Sequence, residues 1–308
     1  MTKTAFVFPG QGSQYPGMGK ELADTFEVAR NVFQEADDAL GFNLSTLCFE
    51  GPEGDLKLTA NTQPAILTTS IAAFRVVEAE TGIKAGYLAG HSLGEFSALV
   101  ASGALGFTDA VRTVRARGTF MQEAVPFGAG AMAAILGVEP AMLADICAEA
   151  SQGEVVSPAN FNSPGQIVIA GHAGAVGRAI EIAKSRGFRK AMLLPVSAPF
   201  HCSLMLPAAE RLEALLAAIP VQTIKRPVVT NVEAEPNSDP GRVMELLVKQ
   251  VCAPVLWAGS VQKMIDLGVS RFIEIGPGKV LSGLIKRISK DVEIRNIEDP
   301  SSLKALGQ

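Results

Sequence analysis

The chain has 308 residues, enough to bury a sizeable core and to hold two domains or one domain with an insertion. Its 48% hydrophobic and 19% charged residues exclude a disordered or fibrous chain. With 27 basic against 31 acidic side chains and a net charge of −4, bulk charge excludes a nucleic-acid binder.

Two stretches lack formal charge, residues 58–74 and 191–209. Asn61, Gln63 and Pro64 interrupt the first, and Pro195, Pro199, His201 and Pro207 the second. Neither is the run of about 20 apolar residues that a spanning helix needs, so no membrane association is expected. The opening residues 1–9 carry one lysine and a four-residue apolar core, too short for a signal peptide, and a cytoplasmic protein is expected. Four scattered cysteines (Cys48, Cys147, Cys202, Cys252) and three histidines (His91, His172, His201) show no zinc spacing. They read as reduced, mostly buried thiols with no structural metal.

In chain order, residues 3–8 read as a buried strand ending in the turn Pro9-Gly10-Gln11-Gly12. Residues 61–80 form a long helix with Pro64 in its first turn. A strand at 85–89 leads through Gly90–Gly94 into a helix at 95–101, and 108–124 is a further helix with Thr108 as N-cap. The middle of the chain alternates differently: strand 130–137, helix 140–151, strands 154–159 and 166–170, helix 173–185 and strand 189–196. This β-α-β-β-α-β order is the ferredoxin-like arrangement. A strand at 227–230, a helix at 242–251, a strand at 271–275 and a helix at 279–288 follow. Apolar strands alternating with helices indicate a mainly parallel sheet covered on both faces. The expected architecture is therefore an α/β domain of residues 1–124 and 198–308, with a ferredoxin-like insert at 125–197.

Gly90-His91-Ser92-Leu93-Gly94 fits the nucleophile-elbow pattern G-x-S-x-G in its required strand–turn–helix setting. A serine of ordinary pKa needs a base within hydrogen-bond reach. His91 adjoins Ser92 at a sharp turn and should point away. His172 sits where a helix of the insert begins and reads as a surface or capping residue. Elimination favours His201, on a loop stiffened by Pro195 and Pro199, over the alternative of a packing histidine. On the helix 108–124, residues Phe107, Val111, Val114, Gly118 and Met121 define the buried face. Arg112 falls roughly 160° from its centre, Arg115 roughly 100° and Arg117 only about 60°. An arginine there needs an anion, either an internal carboxylate or a substrate carboxylate clamped bidentately. Gly10-Gln11-Gly12 lacks the third glycine of a dinucleotide fingerprint, Tyr15 standing in its place. That loop instead offers a backbone N–H to an oxyanion hole.

These segments resemble the malonyl-CoA:acyl-carrier-protein transacylases of bacterial fatty-acid synthesis nearly end to end. The resemblance runs through Phe8–Gln14, Thr62–Ala65, Gly90–Glu95, Arg115–Gly118, Ala159–Gly171, Pro199–Cys202, Gln250 and Glu274–Gly278. It implies an α/β-hydrolase-like core with a ferredoxin-like insert, malonyl-CoA and acyl carrier protein as partners, and no cofactor or metal. It makes Ser92 the nucleophile, His201 the base, and Gln250 the group orienting the imidazole through its side chain or its backbone carbonyl. Leu93 and Gln11 become the oxyanion donors, Arg117 the malonyl clamp, and Phe200 the wall that excludes an α-methyl branch. Arg189, Lys190, Lys286 and Arg287 are candidates for a basic rim that meets the acidic carrier and the CoA phosphates. A serine thioesterase or esterase, a polyketide-type malonyl-loading enzyme and a non-catalytic carrier-docking module are the competing readings.

Overall fold

A computed structural model describes residues 3–196 and 198–306. Ser197, beside the expected return to the larger domain, lies outside the described residues.

Among the described residues, ten strands form two sheets. β1 (Lys3–Phe8), β2 (Tyr87–Gly90), β7 (Val228–Val229), β8 (Pro236–Asn237), β9 (Val269–Ile275) and β10 (Glu293–Ile297) make a six-stranded sheet ordered β10-β9-β1-β2-β7-β8. It is parallel throughout except for the β7–β8 pair. The pleat sends Phe6 and Phe8 of β1 into one hydrophobic cluster and Ala5 and Val7 into another on the opposite face. A central strand buried on both faces is thereby apolar without alternation.

The second sheet holds β3 (Gly130–Leu136), β4 (Val156–Ser163), β5 (Gln166–His172) and β6 (Ala191–Leu193), all antiparallel in the order β4-β5-β3-β6. The helices Pro140–Ser151 and Ala173–Ser185 pack on one face and share a separate cluster with it, including Ile135, Ile146, Ile169 and Val176. The other face turns Met132, Ala134, Val168 and Ala170 toward the main core. The chain is thus an α/β fold carrying a small ferredoxin-like insertion. A backbone seam ties β4 to the segment between the helices Val243–Cys252 and Trp257–Asp266: Val255 N–H donates to Ala159 O (2.9 Å) and Phe161 N–H to Val255 O (2.9 Å).

Several local expectations shift. The long helix runs Thr59–Glu80, starting two residues early because the Leu58 carbonyl accepts from the Asn61 and Thr62 N–H groups. Pro64 consequently lies inside the helix and not in its first turn. The helix Phe107–Glu123 begins at Phe107, which drops into the core, with Gly106 in the cap position. Thr108 is therefore not an N-cap; its hydroxyl donates to Glu35 Oε1 at 3.0 Å. β4 extends to Ser163 because its outer half pairs with β5 and Val255. β6 keeps only three residues, the three that pair with β3.

The glycines around the first two parallel strands are sterically obligatory. A Cβ on Gly90 would stand 1.9 Å from the Gly94 backbone, and one on Gly94 would stand 2.1 Å from Phe8 O. No rotamer relieves a clash between backbones. Replacing Gly90 by Ala is expected to cost about 1–3 kcal/mol or more of stability. Urea denaturation of the purified variant measures this, and an unchanged midpoint would contradict the close approach.

Candidate active site

β2 ends at Gly90, and the helix Leu93–Ser102 opens directly behind the turn. Ser92 sits on that corner with φ 49° and ψ −105°, a conformation L-residues rarely adopt. The strain is held from several sides. Ser92 N–H donates to Asn231 Oδ1 (2.7 Å), and Asn231 Nδ2 donates to Gly90 O (2.6 Å). Gly94 N–H and Glu95 N–H are turned back onto His91 O and Ser92 O. Leu93, first in the helix, keeps an N–H with no intrahelical acceptor, and the residue lines the cleft.

His201 lies on the turn after Pro199 and also has a positive φ, 61°. Its Nε2 is 2.7 Å from Ser92 Oγ, and its Nδ1 is 2.9 Å from the backbone oxygen of Gln250. A carbonyl only accepts, so Nδ1 carries the ring proton and Nε2 presents a lone pair to the serine hydroxyl. The group that contacts the imidazole is thus the Gln250 main chain. The Gln250 side chain does different work: Oε1 accepts from Arg117 Nη2 (2.9 Å), and Nε2 donates to Glu95 Oε2 (2.7 Å) and Ser92 O (3.1 Å).

Arg117 is 1% exposed. Its Nη1 donates to Gln63 Oε1 (2.7 Å), its Nη2 also reaches Ser92 Oγ (3.2 Å), and its guanidinium lies over the Phe96 ring (5.6 Å). Among the described residues its side-chain partners are Gln63, Ser92 and Gln250 and no carboxylate, which disfavours the internal-salt-bridge alternative. Helical geometry separates its neighbours as expected: Arg112 is exposed and Arg115 half-buried. Burial lowers the Arg117 pKa to about 10, offset in part by the charge of Glu95, and the group remains a cation near neutrality.

Burial also lowers the His201 pKa to about 3, with the Arg117 charge acting in the same direction. Glu95, 2% exposed, is raised to about 7 by burial, against its bonds to Gln250 and Asn231 and the Arg117 charge.

Ser92, His201, Arg117 and Gln63 border one cleft of about 190 Å³, whereas the buried Gln250, Glu95 and Asn231 do not line it. Gln11 and Leu93 face it from the core, Phe200 stands beside His201, and Asn160 and Asn162 enter from β4. Ser13 Oγ donates to Gly10 O (2.8 Å) and fixes the Gln11 loop. His91 turns away from Ser92 to Asn162 Oδ1 (2.8 Å). His172 stands at the N-cap position of its helix, and its Nδ1 accepts from Val155 N–H. Arg189, Lys190, Lys286 and Arg287 are exposed and take no part in the catalytic cluster. Each pair nevertheless lies on a segment that lines the cleft further along, at Leu194 and Val196 or at Val280 and Leu284. Arg287 also donates to the Gln166 side-chain oxygen.

Gln63, Glu95, Asn162 and Asn231 complete the cluster without having been assigned a role from sequence, although the first three lie in segments that carry the family resemblance. Asn231 left one usable signal, a polar residue just past the C-terminal end of a parallel strand. Among the described residues, no helix is long and apolar enough to cross a membrane, and no group of three or more His, Cys, Asp or Glu is placed to hold a metal ion.

A strained serine, an imidazole within hydrogen-bond reach and a buried cation beside both define an acyl-transferring serine enzyme. The chain belongs to the acyl transferase domain family, which it matches over residues 5–304. It is 49% identical over 305 residues to the malonyl CoA-acyl carrier protein transacylase of Escherichia coli K12, covering 99% of both chains. The crystal structure of an acyl carrier protein S-malonyltransferase from Vibrio cholerae superposes with a TM-score of 0.97 at 48% identity, covering 99% of this chain and 100% of that one. A malonyl-transacylase solved in complex with its type II PKS acyl-carrier protein superposes with a TM-score of 0.96 at 45% identity, covering 99% and 98%.

The depressed His201 pKa has a measurable sign. The unfolded chain takes up this proton near 6.5 and the folded chain only near 3, so the group withdraws stability as pH falls through that window. Ring-nitrogen NMR is expected to show His201 neutral at pH 5, where a solvated histidine is mostly protonated. A midpoint near 6.5 would mean that the imidazole is hydrated.

Proposed function

We propose that the protein is an acyl-carrier-protein S-malonyltransferase, moving malonyl from malonyl-CoA to the phosphopantetheine thiol of a carrier protein and so supplying fatty-acid chain elongation. The observation that carries this reading is a buried guanidinium 3.2 Å from the nucleophile with no carboxylate of its own. A hydrolase of neutral esters has no use for that charge, whereas a malonyl carboxylate supplies its missing anion.

The chemistry follows from the distances. Arg117 receives the malonyl carboxylate and sets the thioester carbonyl over Ser92. His201 Nε2 takes the hydroxyl proton as Oγ forms its bond to the carbonyl carbon. The N–H groups of Leu93 and Gln11 face the oxygen that becomes negative. Collapse breaks the C–S bond, and the CoA sulfur leaves with the proton from Nε2. The malonyl ester on Ser92 then accepts attack by the pantetheine thiol, deprotonated by the same nitrogen, and the serine is regenerated. A backbone carbonyl suffices to hold the imidazole because its protonated form is transient.

Phe200, beside His201, is the wall against an α-methyl branch, favouring malonyl over methylmalonyl. Arg189, Lys190, Lys286 and Arg287 serve as the basic rim that steers an acidic carrier. The strand sets support a division into residues 1–124 with 198–308, which carry Ser92, His201 and Gln250, and an insert at 125–197 that walls the cleft. Four free cysteines, three of them buried, agree with a cytoplasmic location. The carrier in the PKS complex favours a second reading, in which the same site loads a polyketide carrier. Comparing turnover on the two carrier classes separates the two.

Intact-mass spectrometry after mixing with malonyl-CoA is expected to show one malonyl adduct on the native chain and none on Ser92→Ala; a pantetheine thiol should discharge it faster than water. Arg117→Ala should lose at least tenfold in malonyl transfer relative to acetyl transfer, since a charge-assisted pair contributes about 1.5–3 kcal/mol. Unchanged malonyl use in that variant would refute the clamp. Reversing the four rim charges should raise KM for the carrier severalfold while leaving the Ser92 acylation rate intact, and the effect should fade at high salt.

A further inference from the structure

Glu95 is a carboxylate buried beneath the nucleophile, and nothing in the reaction just described uses it. It stands in the first turn behind Ser92, 2% exposed, and its partners reach both halves of the machinery. Oε2 accepts the Gln250 Nε2 amide at 2.7 Å and the Asn231 backbone N–H at 3.1 Å. A backbone N–H cannot turn round, so Oε2 is an acceptor in either protonation state. Together with the Ser92 carbonyl, which accepts from the same Nε2 at 3.1 Å, it sets the polarity of the next link. The Gln250 amide points its NH2 toward these two oxygens, which leaves its own oxygen for Arg117 Nη2 at 2.9 Å. With the amide reversed, an NH2 would face the guanidinium, two donors in contact in a dry site.

We propose that Glu95 is the positioning residue for Arg117, acting through the Gln250 side-chain amide to hold the guanidinium beside Ser92 while leaving it free to receive the substrate carboxylate. This rests on the clamp reading of Arg117 given above. A carboxylate in direct contact would occupy the fork that the substrate needs. One amide's length away, it fixes the cation and supplies a nearby negative charge without taking its donors. Gln63 holds Nη1 on the other side and has no acid behind it; its Nε2 meets Met121 Sδ at 3.7 Å. The Gln250 side therefore carries the directional constraint.

The test is a selectivity ratio, because general damage to the fold lowers all acyl transfer alike. Ser92 acylation by malonyl-CoA and by acetyl-CoA is timed for the native chain, Arg117→Ala, Glu95→Leu, Glu95→Gln and Gln250→Met. Glu95→Leu removes the acceptor and is expected to lower the malonyl-to-acetyl ratio on the order of tenfold. Glu95→Gln keeps an oxygen for the Asn231 N–H and should retain more of the ratio than Glu95→Leu. Gln250→Met removes the amide but keeps the main-chain carbonyl for His201, so it should lower the ratio like Glu95→Leu. Adding Glu95→Leu to it should lower the ratio no further. If Glu95→Leu does not fold, the Glu95→Gln and Gln250→Met pair decides by the same ordering. Equal loss of malonyl and acetyl transfer in the Glu95 and Gln250 variants, or an unchanged ratio, with Arg117→Ala still losing its ratio, overturns the Glu95 assignment alone. An unchanged ratio in Arg117→Ala overturns the clamp and this proposal with it.

Discussion

A single buried cation governs the arrangement around it. Transferring an unpaired guanidinium from water to a protein interior is so unfavourable that a protein normally supplies a carboxylate against it. Here the first ring of partners is two amide oxygens, a hydroxyl and the face of Phe96. Amide oxygens solvate the charge without neutralising it, and the site keeps an unmet demand for an anion. Most features of the neighbourhood serve that demand: the helix that carries Arg117 inward, the glycine at position 118 whose Cβ would stand 2.6 Å from Thr59 O, and the buried glutamines.

The same cation shapes the base. It adds to burial in holding His201 far below its usual pKa, so the imidazole is ready as an acceptor but costly to charge. A substrate that brings its own carboxylate cancels part of that field as it binds. On the proposed clamp, substrate charge and base strength are coupled: an acyl group whose carboxylate meets Arg117 would also ease proton transfer to His201. A neutral acyl group would do neither, giving discrimination in the chemical step as well as in binding.

The parts legible in sequence were those with a local rule. The apolar run of β1, the G-x-S-x-G corner and the inward rotation of Arg117 each follow from spacing within one element or turn, and the β-α-β-β-α-β rhythm from the order of consecutive local patterns. Helix ends shifted where distant partners intervened, as at Thr108, whose hydroxyl serves Glu35 instead of its own helix. The helices Glu27–Leu40, Leu206–Leu216 and Trp257–Asp266 gave no motif to anchor them and were not anticipated, although the first and third have clear apolar faces. The inner ring was legible only in part. Nothing in the neighbours of Asn231 says that its side chain spans Ser92 N–H and Gly90 O, because that bond crosses 139 residues of chain. Sequence also left open whether Gln250 works by side chain or main chain, and the two turn out to have separate tasks.

That division of labour explains why an amide residue stands where many serine hydrolases place an acid. A carboxylate at position 250 would meet Arg117 Nη2 at the 2.9 Å now held by Oε1, forming the direct ion pair that the site otherwise avoids. The substrate carboxylate would then compete with an internal one at close range. Delegating the imidazole to a main-chain carbonyl, 2.9 Å from Nδ1, frees the side chain to be neutral. A carbonyl stabilises a protonated imidazole less than a carboxylate does, but each half-reaction holds the proton on Nε2 only briefly, passing it to the departing CoA sulfur in the first and back to Ser92 Oγ in the second. The weaker orienting group is thus compatible with the chemistry, and it is what allows an unpaired arginine to sit within hydrogen-bond distance of the nucleophile.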